Sequence, residues 1–271
     1  MKNDKAGDRH KSYEAQTTQQ RAMPGIPLIA RLDGKAFHTY CANMTKPFDP
    51  NMQLCMKETT KYLIEQSHAF VGYTQSDEIS LMWFVEPNTN QEFPFLGKYQ
   101  KLMSVLAGQA SAKFALEAQK YFKKPQIPSF DCRVWQVPNK QEAISYFLWR
   151  EDDATRNAVQ MAASNYYSPK EKFKKNTSEL IEMLHQKGIM FADYPNHFKR
   201  GIVMQRKNHT KLLTQEDVDL LPEKAKLTMK VGKEITRSNV VVHDIPVLRQ
   251  IANLEAFLFS KEDPITKQPK D

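Results

Sequence analysis

The stretch "VGYTQSDEISLMWF", from Val71 to Phe84, places two adjacent carboxylates between two apolar segments. The flanking segments are rich in aromatic and β-branched residues, which is typical of strands. The connection between them lacks the Asn-Gly, Asp-Gly or other glycine signal of a tight hairpin. Because adjacent carboxylates repel each other, a purely structural turn gains little from Asp77 and Glu78. We interpret the pair as a sign of a cation bound at one edge of a sheet.

Further segments extend these two strands into a β-α-β-β-α-β order. "PLIARLD" (Pro27 to Asp33) is a short apolar strand that ends in an acid. Asp49-Pro50 is a good helix start, since Asp accepts hydrogen bonds at the N-cap and Pro fits the first turn. A long helix is predicted from about Lys98 to Phe122, and "SFDCRVWQV" (129–137) is the fourth strand. This order is typical of an α+β fold with a ferredoxin-like antiparallel sheet and helices on one face.

The remaining sequence predicts a basic C-terminal part made of helices and β-strands. A helix opens after Asn139, and "SPKEKFKKNTSELIEMLHQKG" predicts a capped helix that ends at Gly188. "RGIVMQRK" and "KLTMKVGKEITRSNVVVHDI" have the composition of strands rich in Lys and Arg. We expect a catalytic domain over 1–138, with a helical lead-in from about 7 to 21. A helical and β-hairpin part over 139–271 is expected to pack on it.

The composition indicates a globular protein with a polyanionic partner. The chain has 271 residues, of which 41% are hydrophobic and 26% charged, and its formal net charge is +8. Basic surfaces attract phosphate backbones, although an ordinary lysine-rich surface gives the same excess. Cys41, Cys55 and Cys132 form no CxxC pair, so we expect reduced thiols in a cytoplasmic protein. The polar start lacks a signal core and no apolar run approaches the roughly 20 residues that span a bilayer, so no membrane contact is expected.

Asp33 supplies the distant carboxylate that a cation site requires. In a ferredoxin-like order the first and third strands are neighbours, so Asp33 is expected to face Asp77 and Glu78. Such carboxylates raise one another's pKa unless a cation neutralises them, and Mg²⁺ prefers carboxylate and phosphate oxygens. Two such ions stabilise the attacking and leaving oxygens of an in-line phosphoryl transfer. The pattern therefore favours metal-dependent nucleotidyl transfer, with phosphate charge countered by Arg31, Lys35, Lys46, Lys98, Lys101 and Arg133.

Five ordered motifs carry a resemblance to a known family. "ARLDGKAFHTY", "KPFD", "GYTQSDEIS", "FDCRV" and "YFLWREDDATRN" occur in this order. From about Gly7 to the "RGIVMQRK" strand, the chain resembles the tRNA-histidine guanylyltransferase superfamily. The resemblance implies a polymerase palm that adds nucleotides to the 5′ end of RNA, in the 3′-to-5′ direction. It also implies two Mg²⁺ ions, GTP and ATP as substrates, tRNA as partner and a homotetramer.

The resemblance assigns roles to the matching positions of this chain. Asp33 and Asp77 would ligate the Mg²⁺ ions together with the Gly34 carbonyl, and Glu78 would support that site. Ser76 and Lys46 would act in activating the RNA 5′ end. The implied nucleotide-binding positions are Arg31, Gly34, Lys35, Ala36, Phe37, His38, Ser76 and Lys101. The implied RNA-binding positions in the palm and the C-terminal part are Arg133, Arg150, Arg156 and Asn157.

The implied mechanism has two steps. A 5′-monophosphate has no good leaving group, so ATP adenylylates it and pyrophosphate is released. The 3′-hydroxyl of an incoming nucleotide such as GTP then attacks the activated phosphate and expels AMP. An RNA that already carries a 5′-triphosphate skips the activation step.

One departure from the family pattern bears on the RNA substrate. Enzymes dedicated to tRNA-histidine carry a "HINN"-type block whose His helps to read the anticodon. Here the corresponding run is "DATRNAVQ", with Thr155 in place of the His. The chain therefore resembles more closely the bacterial and archaeal guanylyltransferase-like proteins, which repair 5′-truncated tRNAs with the 3′ strand as template. Base pairing would then select the nucleotide, and the protein would need mostly shape and backbone contacts.

Several alternatives stay open on the sequence alone. Authentic tRNA-histidine guanylyltransferase is a runner-up within the same chemistry. A palm-type nucleotide cyclase is less favoured because a GGDEF-like turn is absent. A catalytically silent RNA-binding module is disfavoured because Asp33, Asp77, Glu78, Ser76 and Lys46 are all present. Trp149 is expected to lie in the core with Arg150 paired to Asp153. His38 is as well explained by packing as by nucleotide contact, and His197 is expected at the surface or at a helix cap.

Overall fold

Six strands of the described residues form one antiparallel sheet in the order β4-β1-β3-β2-β5-β6. The computed structural model describes residues 5–123 and 126–267. Its strands are β1 Leu28–Gly34, β2 Val71–Gln75, β3 Glu78–Trp83, β4 Phe130–Gln136, β5 Ile202–Leu212 and β6 Glu234–His243. The first four strands have the ferredoxin-like order, with β1 between β3 and β4. The predicted α+β palm-like fold is therefore confirmed.

Ten α-helices occur in the described residues, and most of them follow the predicted segments. They are α1 Lys5–Thr18, α2 Phe37–Tyr40, α3 Pro50–Ser67, α4 Tyr99–Tyr121, α5 Lys140–Ser164, α6 Pro169–Lys172, α7 Thr177–Gln186, α8 Asn196–Arg200, α9 Gln215–Asp219 and α10 Glu223–Lys226. Short 3₁₀ turns span Pro94–Gly97, Phe191–Asp193 and Leu248–Gln250, and a π-helical turn spans Ala256–Ser260. Among residues 5–123 and 126–267, no helix combines the length and apolar character that crossing a bilayer requires.

Helices α3 and α4 cover one face of the sheet and build the larger core. Helix α3 begins where predicted, because the Asp49 carboxylate accepts hydrogen bonds from the backbone N–H groups of Asn51 and Met52. Alternate strand residues point to opposite faces. The positions that pack against α3 and α4 include Leu28, Ala30, Leu32, Ile79 and Leu81, all fully buried.

The opposite face is shared between α5 and the C-terminal segment. Ile29, Tyr73 and Met82 pack there against Phe147 and Phe257 in a second core cluster. Because side chains alternate along β1, the remaining odd-numbered positions of that strand point to the same face as Ile29. The end of β1 that α5 leaves uncovered therefore presents polar side chains on an open part of the sheet.

The single helix predicted over the "SPKEKFKKNTSELIEMLHQKG" segment is two helices, α6 and α7. Each begins with its own capping box, formed by Ser168 with Glu171 and by Asn176 with Glu179. Between them Lys174 adopts a left-handed conformation with φ of 60°. The second cap satisfies the N–H groups of a new helix, so the first helix ends after one turn.

Gly201 occupies a position that no other residue fits, between α8 and β5. Its backbone has φ of 76° and ψ of −167°, a region that is almost restricted to glycine. A Cβ atom there would lie 2.6 Å from the Thr74 carbonyl oxygen and 2.8 Å from the Tyr73 hydroxyl. That hydroxyl donates a hydrogen bond of 2.7 Å to the Arg200 carbonyl. Gly201 thus allows α8 to lie directly against the end of β2.

Gly201→Ala is expected to lower the free energy of unfolding by more than about 2 kcal/mol, because backbone strain and a clash with the β2 backbone add together. Gly232→Ala is a matched control, since Gly232 has φ of 80° but no atom of the described residues lies within 4 Å of the new Cβ. The control is expected to lose about 1 kcal/mol from strain alone. Urea unfolding of both variants measures the difference, and equal losses would contradict the close approach.

Candidate active site

Three strands bring acidic residues together at one end of the sheet. Asp33, near the end of β1, lies opposite Glu78 on β3 and opposite Asp131 on β4. The Gly34 N–H donates a hydrogen bond of 3.1 Å to the Asp77 carbonyl, which joins the end of β1 to the β2–β3 turn. The juxtaposition expected from the ferredoxin-like order is present. Asp131 was missed, although it lies in the quoted "FDCRV" motif opposite Asp33 once β1 and β4 are paired.

The turn that carries Asp77 has an unusual backbone. Ser76 adopts a left-handed conformation with φ of 49°, which is uncommon for a residue other than glycine. Its hydroxyl donates a hydrogen bond of 3.0 Å to Asp77 Oδ1. Such strain, on the order of 1–3 kcal/mol, persists only where neighbouring structure holds it. Here the two-residue connection between β2 and β3 fixes Ser76 and Asp77 together at the edge of the sheet.

Burial and mutual repulsion raise the pKa of two of these carboxyl groups. The pKa of Asp33 is raised by burial first and by the Asp131 charge second, while Arg133, Arg31 and Arg150 lower it. The pKa of Asp77 is raised by burial and by Asp33, while the Ser76 hydrogen bond lowers it. A bound cation would relieve this unfavourable charge. The raised pKa values of these two neighbouring carboxyl groups are typical of a site that binds a cation.

The donor set fits Mg²⁺ rather than a softer metal. Asp33 and Asp77 offer carboxylate oxygens, and Gly34 offers a backbone carbonyl. Within the described ranges no group of three or more His, Cys, Asp and Glu side chains is gathered as a metal site. Mg²⁺ is commonly held by one or two carboxylates together with substrate phosphates and water, so two carboxylates suffice.

Glu78 is buried beside Asp33, and its carboxylate contacts α5. Arg150 Nη1 donates to Glu78 Oε2 at 3.3 Å, and the Ser80 hydroxyl donates to Oε1 at 3.4 Å. Burial raises the pKa of Glu78 to about 7, although Arg150 and Arg31 lower it. Glu78 thus connects β3 to the buried guanidinium of Arg150.

The predicted pair between Arg150 and Asp153 is confirmed, whereas the prediction that Trp149 lies in the core is wrong. Arg150 is 3% exposed and donates to Asp153, which also accepts from Arg156 at 2.8 Å and from Asn157 at 3.4 Å. Trp149 is 47% exposed, with the Arg150 guanidinium carbon 3.8 Å from its ring centroid. The charged residue occupies the buried stripe of α5 and leaves its aromatic neighbour outside it.

A cavity of about 540 Å³ lies beside the turn that carries Ser76 and Asp77. Its volume is in the range of pockets that hold nucleotide-sized ligands. Sequence-predicted residues in its wall are Phe37, His38, Lys46, Ser76, Asp77 and Asn157. Lys46 Nζ donates a hydrogen bond of 3.2 Å to the Cys41 carbonyl at its rim. The structure therefore brings Ser76, the Asp77 carboxylate and the Lys46 side chain together around one cavity.

Other predicted residues lie outside that wall. Arg31 and Arg133 are opposite each other on β1 and β4, on the open part of the sheet. Lys35 and Ala36 are exposed at the start of α2, where Ala36 is left-handed with φ of 58°. Lys101 is in the first turn of α4, with Nζ 5.3 Å from the Phe95 ring centroid. Phe37 also packs on Phe114 and Phe130 in the core, so its ring serves the fold as well.

The far wall of the cavity comes from α8, a helix that no sequence pattern predicts. His197 and Phe198 line the cavity, and both rings pack against Phe48, at centroid distances of 5.5 Å and 4.8 Å. His197 Nε2 is buried and has no hydrogen-bond partner among the described atoms. Its ring lies in the cavity wall, which differs from the surface or cap position expected for this residue.

Comparison with known proteins gives a family match over part of the chain and similar proteins over most of it. The family described as tRNAHis guanylyltransferase matches residues 7–138. A bacterial tRNA(His) guanylyltransferase (Thg1)-like protein in complex with ATP superposes with a TM-score of 0.77 and 28% identity, over 94% of this chain and 99% of that one. The GTP complex of such a protein gives 0.71 and 28%, over 94% and 100% of the two chains. The tRNA(His) guanylyltransferase of Schizosaccharomyces pombe is 24% identical over 228 residues, 78% of this chain and 85% of the relative.

Proposed function

The chain belongs to the tRNA-histidine guanylyltransferase superfamily and is a nucleotidyltransferase, and from this premise we propose that it repairs 5′-truncated tRNA by template-dependent 3′-to-5′ nucleotide addition. The observation that carries the proposal is the meeting of Asp33 and Asp77 beside a cavity that contains Ser76 and Lys46. Similar structures in complex with ATP and with GTP support the use of both nucleotides.

In this proposal the chain's own groups bind and orient the reacting phosphates. Asp33, Asp77 and the Gly34 carbonyl would hold two Mg²⁺, which supply charge neutralisation at phosphate oxygens when bound. Lys46 and the Ser76 hydroxyl would hold the phosphates of ATP and of the RNA 5′ end in the cavity. A 5′-phosphate oxygen attacks the α-phosphorus of ATP and pyrophosphate leaves. The 3′-hydroxyl of the incoming nucleotide then attacks the activated 5′-phosphorus and AMP leaves, with the hydroxyl proton lost.

Thr155 supports repair over histidine-specific addition. Its hydroxyl lies 3.1 Å from the Glu151 carbonyl oxygen and 3.0 Å from the Lys199 carbonyl oxygen, and the one proton that these two acceptors share joins α5 to α8. A side chain engaged in this way contributes to the fold, whereas the resemblance implies that a His at this position in the tRNA-histidine enzymes helps to read the anticodon. The name of the fission yeast relative favours the second candidate, addition of G before the first nucleotide of tRNA-histidine.

We also propose a homotetramer in the cytoplasm. A tRNA is much larger than one domain of this size, so one RNA would contact more than one subunit. The excess of positive charge, +8, would assist that binding. The free thiols of Cys41, Cys55 and Cys132 support a reducing compartment.

A panel of tRNA substrates tests the proposed function. We expect the protein to extend a tRNA that lacks its first nucleotide, with the nucleotide complementary to the 3′ strand. Changing the opposing template base should change the nucleotide added, because base pairing rather than the protein selects it. Incubation with each of the four nucleoside triphosphates, followed by sequencing of the product 5′ end, measures this choice.

Three other outcomes would contradict repair. Addition of G alone to intact tRNA-histidine, with little extension of truncated tRNA, would identify the second candidate. A product formed from GTP without RNA would indicate a palm-type nucleotide cyclase. Binding of tRNA with no nucleotide transfer under any condition would indicate an RNA-binding module.

A further inference from the structure

Trp149 is an exposed aromatic side chain that its neighbours hold in one place. The residue is 47% exposed, which is high for tryptophan. The guanidinium carbon of Arg150 lies 3.8 Å from its ring centroid, and the Tyr146 ring lies 6.0 Å away at 59°. These contacts leave a large apolar surface open to solvent beside α5, on a ring whose position is fixed.

The support beneath the ring reaches back to the sheet. Arg150 is 3% exposed, and it donates hydrogen bonds to Glu78 and to Asp153. Glu78 is directly opposite Asp33 in the β1–β3 pairing. A continuous series of contacts therefore runs from the acidic end of β1 through Glu78 and Arg150 to the Trp149 ring.

An arginine without a strong partner lies near the ring, and a second arginine is opposite it on the next strand. The Arg31 guanidinium carbon lies 6.0 Å from the Trp149 ring centroid. In the part of the chain that the structure describes, Arg31 forms no ion pair. Among the described residues, Arg133, opposite Arg31 on β4, pairs only with Asp131, at 3.4 Å, and both side chains are more than half exposed. Exposed pairs of this kind are weak, so both arginines are available to a phosphate.

The ring is separate from the cavity beside the Asp77 turn. The α5 residues in the wall of that cavity begin at Ala154 and continue to Asn157 and Ser164, more than one helical turn beyond Trp149. Two-step nucleotide transfer needs positions for more than one nucleobase. If one nucleotide occupies the cavity, the open part of the sheet is free to bind the second nucleotide.

We propose that Trp149 is a stacking platform for the base of a nucleotide, and that the phosphates of this nucleotide lie against Arg31 and Arg133 on the open part of the sheet. This inference rests on the proposed function and extends it to a specific substrate contact. The combination of an exposed indole and nearby guanidinium groups is the chemistry that binds a base through its face and a phosphate through its charge. The base belongs either to the 5′ end of the RNA or to the incoming nucleotide.

Trp149→Ala and Trp149→Phe test the platform. We expect Trp149→Ala to raise the KM of one substrate about tenfold, because stacking on an aromatic ring contributes substantially to binding, and to leave kcat nearly unchanged. Trp149→Phe retains an aromatic face, so its KM should stay close to that of wild type. A higher KM for truncated tRNA assigns the base to the RNA, and a higher KM for the nucleoside triphosphate assigns it to the incoming nucleotide. Tyr121→Ala removes a 41% exposed ring on α4, on the opposite face of the sheet, and should change neither value.

A binding measurement separates this inference from the proposed reaction. RNA with 2-aminopurine at its 5′ end, and 2-aminopurine ribonucleoside triphosphate, should each be added to wild type and to Trp149→Ala without turnover. If the fluorescence of one probe is quenched by wild type but not by Trp149→Ala, the result supports the platform, even if no RNA is extended. Equal quenching of both probes by the two proteins would overturn it. A lowered melting temperature with both KM values raised equally would also overturn it, since a structural role alone would then explain the loss.

Discussion

Asp77→Asn is expected to lower the rate of nucleotide addition by about a thousandfold. In the proposed mechanism this carboxylate holds the ions that neutralise phosphate charge, and such neutralisation contributes several kcal/mol, with about 1.4 kcal/mol for each factor of ten. Asparagine has the same shape and can keep the hydrogen bond that Ser76 donates to Oδ1. The rate should be measured in single turnover, with truncated tRNA and saturating Mg²⁺.

The stability of the same variant should move in the opposite direction. The pKa of Asp77 is raised by burial and by the nearby Asp33 charge, so the ionised form is unfavourable in the absence of a cation. A neutral amide removes that charge, and we expect the free energy of unfolding without Mg²⁺ to be unchanged or larger. Asp131→Asn serves for comparison, because its carboxyl is half exposed beside Arg133, and its loss of rate should be much smaller. Activity of Asp77→Asn close to wild type would refute the assigned site.

Lys46→Ala is expected to slow the extension of 5′-monophosphate RNA by about a hundredfold, because a hydrogen bond to a charged group contributes about 1.5–3 kcal/mol. Within the described residues, Lys46 is the one lysine or arginine in the wall of the cavity beside the Asp77 turn. If it holds phosphates during adenylylation, an RNA that already carries a 5′-triphosphate does not need it. We therefore expect near-normal extension of triphosphate RNA by the same variant.

The two RNAs should be compared in parallel, with release of pyrophosphate and of AMP measured separately. Lys61→Ala, on α3 and outside that cavity wall, is the control and should extend both RNAs normally. Equal slowing of both RNAs by Lys46→Ala would mean that Lys46 acts in the nucleotide-transfer step or in folding. Its assignment to activation would then be wrong.

The acidic end of the sheet was predictable because it depends on strand order and on alternation. Once the β-α-β-β-α-β order is recognised, the position of Asp33 next to the β2–β3 turn follows. Asp131 follows from the same pairing, but only when the register of β1 and β4 is fixed to the residue. The exposure of Trp149 was not predictable, because a tryptophan next to an arginine on a helix normally points inward and the arginine outward. Here Glu78 and Asp153 accept hydrogen bonds from the arginine and so offset the cost of burying it.

The cavity wall was beyond reach for a different reason. Helix α8 has five residues and no amphipathic pattern, and its contact with Phe48 joins segments about 150 positions apart. The break between α6 and α7 was in principle readable, since both capping boxes are local. The run of lysines between Ser168 and Asn176 is typical of one continuous charged helix. The capping box of Asn176 and Glu179 is the local signal that a second helix begins there.

The pairing of β5 with β2 has a consequence for any shortened form of the protein. Val71, Gly72, Tyr73 and Thr74 have their outer backbone groups opposite Gln205, Met204, Val203 and Ile202. A fragment that stopped after β4 would leave the backbone groups along this edge of β2 unpaired, and unpaired edges recruit strands from neighbouring molecules. Such a fragment would keep the acidic residues but would aggregate. Strand β5 therefore also protects the protein from self-association, because it covers the edge of β2.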